Sequence, residues 1–163
     1  MAVDIIAERI GALEAFAGLP DDTIARIARA ADRIVFREGQ AIVEAGAECD
    51  GATVIIGGSA HVQADPSRDV GAETLEAGTM IGEVAMLTEH ATAVTVLAGG
   101  NVKAVKITRE TMHALMLDDP ELAQHFQSRL TSRLSRMILD LKLIDERLAL
   151  ACAMASGSET LTG

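Results

Sequence analysis

Gly78-Thr79-Met80-Ile81-Gly82-Glu83-Val84-Ala85-Met86-Leu87 decides how the middle of this chain is read, because glycine interrupts a strand-like pattern and a short helix-like apolar run follows. A turn of this kind exposes backbone N–H groups, and such glycine nests attract anions. Gly82 through Ala85 would then cradle a phosphate, while the Glu83 carboxylate accepts hydroxyl protons from a sugar. On the local pattern alone, a plain structural turn competes with that reading.

The stretch lies inside a longer region, Ile34 to Ile107, of short β-branched runs separated by glycine: Ile34-Val35-Phe36, Ala41-Ile42-Val43, Thr53-Val54-Ile55-Ile56, Ala60-His61-Val62, Thr95-Val96-Leu97 and Val102 to Ile107. Glu38-Gly39-Gln40, Ala45-Gly46, Gly57-Gly58, Gly99-Gly100-Asn101 and the loop at Asp65-Pro66-Ser67 supply turns. Many short strands with frequent turns imply a sandwich, roll or barrel. Before this region Ile5, Ile6, Ile10, Leu13, Phe16, Ile24, Ile27 and Ala31 keep helical spacing, broken at Gly18-Leu19-Pro20-Asp21. Two short helices follow, the second capped by Asp21 or Asp22.

After the strands, helix returns from Thr108 to Leu117. Asp118-Asp119-Pro120 then places a capping Asp before a proline at the first helical position. The next helix runs to Ser156-Gly157, a rod of roughly 50 Å at about 1.5 Å per residue, longer than one small roll covers. Leu130, Leu134, Met137, Leu141, Ile144, Leu148 and Ala151 alternate at spacings of four and three, a heptad seam that reads as a dimer helix. Leu139, Leu143 and Leu150 form a second stripe, expected against the chain's own roll. The competing reading buries the whole helix within its own domain. Ser156 to Gly163 reads as a flexible tail.

The 163 residues hold 14 Lys+Arg against 24 Asp+Glu, 49% apolar residues and neither Trp nor Tyr, which fits one soluble globular domain. A formal charge of −10 argues against nucleic-acid binding by this chain alone, since phosphate neutralisation takes a clustered basic surface. Cys49 and Cys152 are too few for a disulfide scaffold and fit a reducing cytoplasm. Charges interrupt the N-terminal apolar run, so no signal peptide is read there. The longest unbroken apolar stretch near the C-terminus, Leu148 to Ala155, falls far short of the roughly 20 residues of a membrane span.

Several motifs together resemble the cyclic nucleotide-binding domain of Crp/Fnr-type regulators, cyclic-nucleotide-gated channels and kinase regulatory subunits, over nearly the whole chain. They are Phe16-x-x-Leu19-Pro20 before a helix, Gly39 followed by Gly46, and Gly46-Ala47-Glu48-Cys49-Asp50 leading to Val54-Ile55-Ile56-Gly57-Gly58. The fourth is Gly82-Glu83-Val84-Ala85-Met86-Leu87 with Ala93-Val94-Thr95-Val96. The resemblance implies a mainly β fold, an eight-stranded jelly-roll-like β-roll over 33–107 with a phosphate-binding cassette at 78–96. Helices at 1–32 and 108–155 flank it, within a single domain 1–155 followed by the tail 156–163. It implies that Glu83 binds the ribose 2′-hydroxyl and that the Gly82, Val84, Ala85 and Ala93 backbones line the cyclic phosphate. The implied ligand is cAMP or cGMP, with no cofactor required.

The cassette of that family normally ends Pro-Arg-x-Ala-Thr/Ser-Val, whereas this sequence reads Ala91-Thr92-Ala93-Val94-Thr95-Val96. Thr92 stands where the phosphate-neutralising arginine is expected. Truncating a buried charge pair costs about 2 to 5 kcal/mol, and about 1.4 kcal/mol is tenfold, so affinity is expected to fall roughly 30-fold to several thousand-fold. His90 is the nearest substitute cation, effective only when protonated. The Thr92 and Thr95 hydroxyls offer neutral donors, roughly half as strong as charged ones.

Other chemistries lack their residues. His61, His90, His113 and His125 show no paired spacing, so no metal set is read. Cys49 sits between Glu48 and Asp50, which raise rather than lower a thiol pKa, and no nucleophile motif is present. Met80, Met86, Met112, Met116 and Met137 read as core filler. The expectation is therefore a non-enzymatic, cytoplasmic sensor module, homodimeric through its C-terminal helix, in which, as the resemblance implies, cassette occupancy is coupled to dimer geometry and hence to an unidentified protein partner. Only about a dozen residues follow the dimer helix, fewer than a helix-turn-helix needs, so no DNA-binding half is expected. The alternative is a degenerate, ligand-free dimerisation or protein-interaction scaffold. Retained Glu83 favours the sensor, and Thr92 the scaffold.

Overall fold

The glycine-punctuated β-branched runs form two four-stranded antiparallel sheets in the computed structural model, which describes residues 2–68 and 70–159. The first sheet, in spatial order, holds β1 (Asp32–Phe36), β10 (Val102–Thr108), β4 (Gly51–Gly57) and β7 (Met80–Ile81). The second holds β2 (Ala41–Val43), β9 (Val96–Ala98), β5 (Ala60–Val62) and β6 (Glu73–Leu75). A short ladder of β3 (Glu48–Cys49) with β8 (His90–Ala91) stands apart from both. The eight strands of the main sheets make the expected jelly-roll-like architecture.

Alternation along the strands divides two cores. Val43, Ile55, Ala60, Val96, Ala98, Val102 and Ala104 form one buried cluster drawn from both sheets. Val54, Val105 and Ile107 are also fully buried, and α1 (Val3–Gly11) contacts β4. Because β4 is covered on both faces, Gly51 to Ile56 is buried without interruption.

Ile6 and Ile10 of α1, Phe16 of a 3₁₀ turn at Glu14–Phe16, and Ile24 and Ile27 of α2 (Asp21–Ala30) are the large buried apolar residues of the N-terminal helices. Their spacing is the helical period read in the sequence. The expected cap on α2 is corrected: Pro20 is the N-cap and makes no side-chain cap bond. The helix begins one residue early, so Asp21 and Asp22 lie in its first turn and complement the helix dipole instead.

α3 (Arg109–Asp118) starts at Thr108, whose hydroxyl accepts from the Thr111 N–H at 3.2 Å. The Asp119 carboxylate accepts from the Leu122 N–H at 3.2 Å and caps α4 (Pro120–Glu159) in the way its sequence predicts. Contacts divide the chain into two compact units, Met1–Leu122 and Ala123–Gly163.

In the second unit, every residue from 131 to 157 is exposed. The seam residues Leu134, Met137, Leu141, Ile144 and Leu148 are 53 to 63% exposed. Met137 is thus not core filler. Leu139, Leu143 and Leu150 are 56 to 64% exposed. The tail begins later than expected, because Ser156 continues the helix with its hydroxyl donating to the Cys152 carbonyl at 2.6 Å. Residues 160–163 of the expected tail lie outside the described residues. Among the described residues no helix is long and apolar enough to cross a membrane.

Candidate functional site

β7 ends at Ile81, paired with Thr53 of β4, and the chain must then turn sharply. Gly82 makes the turn with φ +81°. A Cβ there would stand 3.2 Å from the Gly51 carbonyl oxygen and 3.7 Å from Cys49 Sγ, so both conformation and space call for glycine. A single 3₁₀ turn, Val84–Met86, follows, with the Ala85 N–H donating to the Gly82 carbonyl at 3.0 Å. Ala85 and Met86 are fully buried and anchor the turn, while Glu83 and Val84 remain half-buried at its start.

The returning arm is stitched to the segment 44–49. Cys49 opposes His90 and Glu48 opposes Ala91 in the β3–β8 ladder. The Thr92 N–H donates to the Ala47 carbonyl at 3.2 Å, and the Gly46 N–H donates to the Thr92 carbonyl at 2.8 Å. The Thr92 hydroxyl donates to the Val94 carbonyl at 2.6 Å, with the Glu44 carbonyl 3.3 Å away. The Thr95 hydroxyl accepts from the Ala45 N–H at 3.0 Å. Thr92 therefore spends its one proton on the loop itself.

Gly82, Glu83, Val84 and Ala85 thus share one turn, whereas Thr92 and Ala93 lie on the returning arm. Ala93 opens onto a cleft of about 250 Å³ whose lining includes Ala45, Gln63, Asp65, Val70 and Thr95. None of the four turn residues lines it, and among the described lining residues Asp65 carries the one charged group. That carboxylate already accepts from the Ser67 N–H at 3.0 Å and hydroxyl at 2.6 Å. Cys49 is buried in β3, its thiol donating to the Gly51 carbonyl at 3.0 Å. Among the described residues no cluster of His, Cys, Asp and Glu could hold a metal ion.

Over residues 33–119 the sequence matches the family described as the cyclic nucleotide-binding domain. The chain belongs to that family. Its fold is similar to the crystal structure of the N-terminal domain of a transcriptional regulator from Streptomyces coelicolor A3(2), with a TM-score of 0.69 at 18% identity over 79% of this chain and 92% of that one. It is also similar to a cyclic nucleotide-binding-like protein from Brucella abortus, with a TM-score of 0.61 at 19% identity over 68% of this chain and 97% of the other. No curated protein sequence matches it.

Two side chains that sequence reasoning missed hold the turn that follows Gly82 from α3. Arg109, whose side chain is only 19% exposed, donates to the Thr88, Ala85 and Cys49 carbonyls at 3.0, 3.3 and 3.4 Å and pairs with Glu48 at 3.4 Å. His113 Nε2 lies 2.8 Å from the Leu87 carbonyl. The one signal for Arg109 in the sequence is its charge: a cation in the first turn opposes the helix dipole and calls for a dedicated partner. Beneath this tie, the Arg109 N–H donates to the Asp50 carbonyl at 2.7 Å. The Asp50 carboxyl is held below its ordinary value chiefly by the Lys106 hydrogen bond, opposed next by burial, while the Lys106 charge, a backbone hydrogen bond and the Arg109 charge add smaller lowering effects.

Proposed function

We propose that this cyclic nucleotide-binding domain is a non-enzymatic regulatory sensor module in which occupancy of the cassette 78–96 biases the C-terminal helices on which two copies pair. The observation that carries the reading is the tie from Arg109 and His113 to the carbonyls of Ala85, Leu87 and Thr88. Any shift of the cassette turn must pull α3 with it or break those bonds, so ligand and helix are energetically linked. The proposed ligand is cAMP or cGMP, held by Glu83 at the ribose and by the Gly82, Val84, Ala85 and Ala93 backbones, with Thr92 closing the site. No cofactor is required. Exposed Cys152 as a free thiol fits a reducing cytoplasm.

A ligand-free dimerisation or interaction scaffold is the second reading, favoured by the commitment of the Thr92 hydroxyl to Val94. Calorimetric titration of the full chain with cAMP and cGMP separates the two. The sensor reading expects a dissociation constant in the high micromolar range or weaker, and no heat at millimolar ligand leaves the scaffold. A submicromolar constant would overturn the argument from the absent arginine and make His90 the first suspect.

A further inference from the structure

Asp32-Arg33-Ile34-Val35-Phe36 of β1 ends the first sheet, with β10 on one side and, among the described residues, no strand on the other. In an antiparallel ladder each residue turns both its N–H and its C=O toward one side, and successive residues alternate. Every second residue of β1 therefore aims both groups away from β10. Among the described residues, no backbone hydrogen bond outside the ladder reaches Asp32 to Phe36. An edge of this kind is a template for a further strand.

The side chains of that edge are sorted by face. Phe36 packs against the core cluster that holds its register partner Val102, and Ile34 stands opposite Ala104 of the same cluster. The other parity is turned outward: Arg33, Val35 and, just past the strand, Arg37 are all exposed, Val35 by 63%. Val35 stands opposite Lys103 of β10, which is exposed too. The outer face thus reads cation, valine, cation along the edge, with a third cation beside the valine. No ion pair among the described residues involves Arg33, Arg37 or Lys103. The unit Met1–Leu122 carries nine Lys+Arg against twenty Asp+Glu, a balance of −11 (9 − 20), so three unpaired cations around one exposed valine run against the charge of the rest.

That charge chooses the occupant. A second copy adding its own β1 would set arginines against arginines, and like charges directly opposite destabilise a strand pair. A nucleic acid would meet the cations but make no use of the backbone donors and acceptors, and the acidic remainder of the unit repels it. An extended peptide with acidic side chains two residues to either side of an apolar one meets all three features: the open backbone groups, the two arginines and Val35. We infer that β1 receives such an acidic–apolar–acidic segment of a partner protein as a fifth strand of the first sheet. The inference goes beyond the sensor reading and needs no ligand, since the cassette turn leaves from β7, at the far end of the same sheet.

The capped peptide Thr-Glu-Thr-Val-Thr-Glu-Thr is the probe, and Thr-Lys-Thr-Val-Thr-Lys-Thr is its charge-reversed control. Each is titrated to low millimolar concentration into the isotopically labelled full chain, with amide shifts followed by NMR. The expected result is a set of shift changes centred on residues 32–37. The glutamate peptide should bind tighter by roughly ten- to thirtyfold, because two cross-strand attractions become repulsions in the control. A glutamate peptide with its interior amides N-methylated keeps both charges, offers no donors and should not bind. Equal binding of the two charge forms, undiminished binding of the methylated form, or shift changes that equimolar inorganic phosphate reproduces would each overturn strand addition. No change at β1 overturns it as well, and leaves the arginines as guards of the edge against self-association.

Arg33→Glu with Arg37→Glu supplies a second arm on exposed positions. The preference should reverse in favour of the lysine peptide while the melting transition of the roll stays in place. A folded double variant that still prefers the glutamate peptide overturns the part given to the two arginines, and with it the acidic partner.

Discussion

Thr92 stands where the family resemblance implies a fixed charge, and its hydroxyl proton is already taken by Val94. Thr92→Arg is expected to improve cAMP or cGMP affinity by about 1.5 to 3 kcal/mol, roughly ten- to a hundredfold. Glu83→Ala in that background should remove much of the gain. Lysine should rescue less, since only the guanidinium meets two phosphate oxygens at once. The same change forfeits the hydroxyl bond to Val94 at a cost of about 1 kcal/mol, so a modest fall in Tm should accompany the tighter binding. The backbone bonds of residue 92 to Gly46 and Ala47 do not depend on its side chain and should hold the arm in place. Calorimetry and a melting curve on the three variants check both expectations, and a well-folded Thr92→Arg that binds no better leaves the scaffold reading. A second residue-scale expectation concerns Asp50, whose folded pKa is depressed chiefly by the Lys106 hydrogen bond. Its stabilising effect is complete above the unfolded value of about 3.9 and is lost as pH falls through the lower folded value. Lys106→Met should raise the Asp50 carboxyl toward the ordinary range and move the acid-unfolding midpoint upward. A carboxyl chemical-shift titration that leaves Asp50 where it was would remove the Lys106 bond as the cause.

The cassette turn and the start of α3 behave as one piece because Arg109 satisfies carbonyls from β3, the 3₁₀ turn and the loop after it. Arg109→Met keeps the aliphatic bulk and removes every donor, which should cost about 1 to 3 kcal/mol. Hydrogen exchange should quicken at the Ala85, Leu87 and Thr88 amides, whose own bonds close the turn. Unchanged exchange there, with the fold intact, would make the tie incidental and weaken the coupling it is proposed to carry. The elements also divide by how far their sequences announce them. β4 and β10 are long runs buried by neighbours on both sides, and the β-branched signal marks both. Glu48-Cys49, Met80-Ile81 and His90-Ala91 are two-residue strands with no propensity pattern of their own. Pairing with a neighbour makes them strands, and no local reading sees that neighbour. At the site the contrast is the same. Gly82 and its turn are legible because a left-handed φ demands glycine, but Arg109 and His113 reach acceptors more than twenty positions away in the chain. The internal bonding of Thr92 was hidden too, since a vacant arginine position says nothing of what the replacement does with its proton.

An isolated helix exposing leucines from residue 134 to residue 150 on more than one face is a poor end state in water. Helix stability in proteins comes mainly from packing an apolar face, and each fully buried leucine contributes roughly 1.5 to 3 kcal/mol. A two-fold contact along the seam would bury every layer from Leu134 to Ala151 in both copies at once. The expected mass by light scattering at micromolar concentration is therefore twice the 17.1 kDa of the chain. Leu134→Asp with Leu141→Asp puts two carboxylates into the centre of the seam, where each faces an apolar layer. That change should return the mass to one chain and lower the helical signal in circular dichroism, because residues 131–157 then have no partner to hold them. The roll should be untouched, since neither position belongs to the unit Met1–Leu122. Its melting transition serves as the internal control. If the double variant keeps the dimeric mass, the opposite stripe of Leu139, Leu143 and Leu150 is the contact instead. The heptad seam would then have to be redrawn around that face.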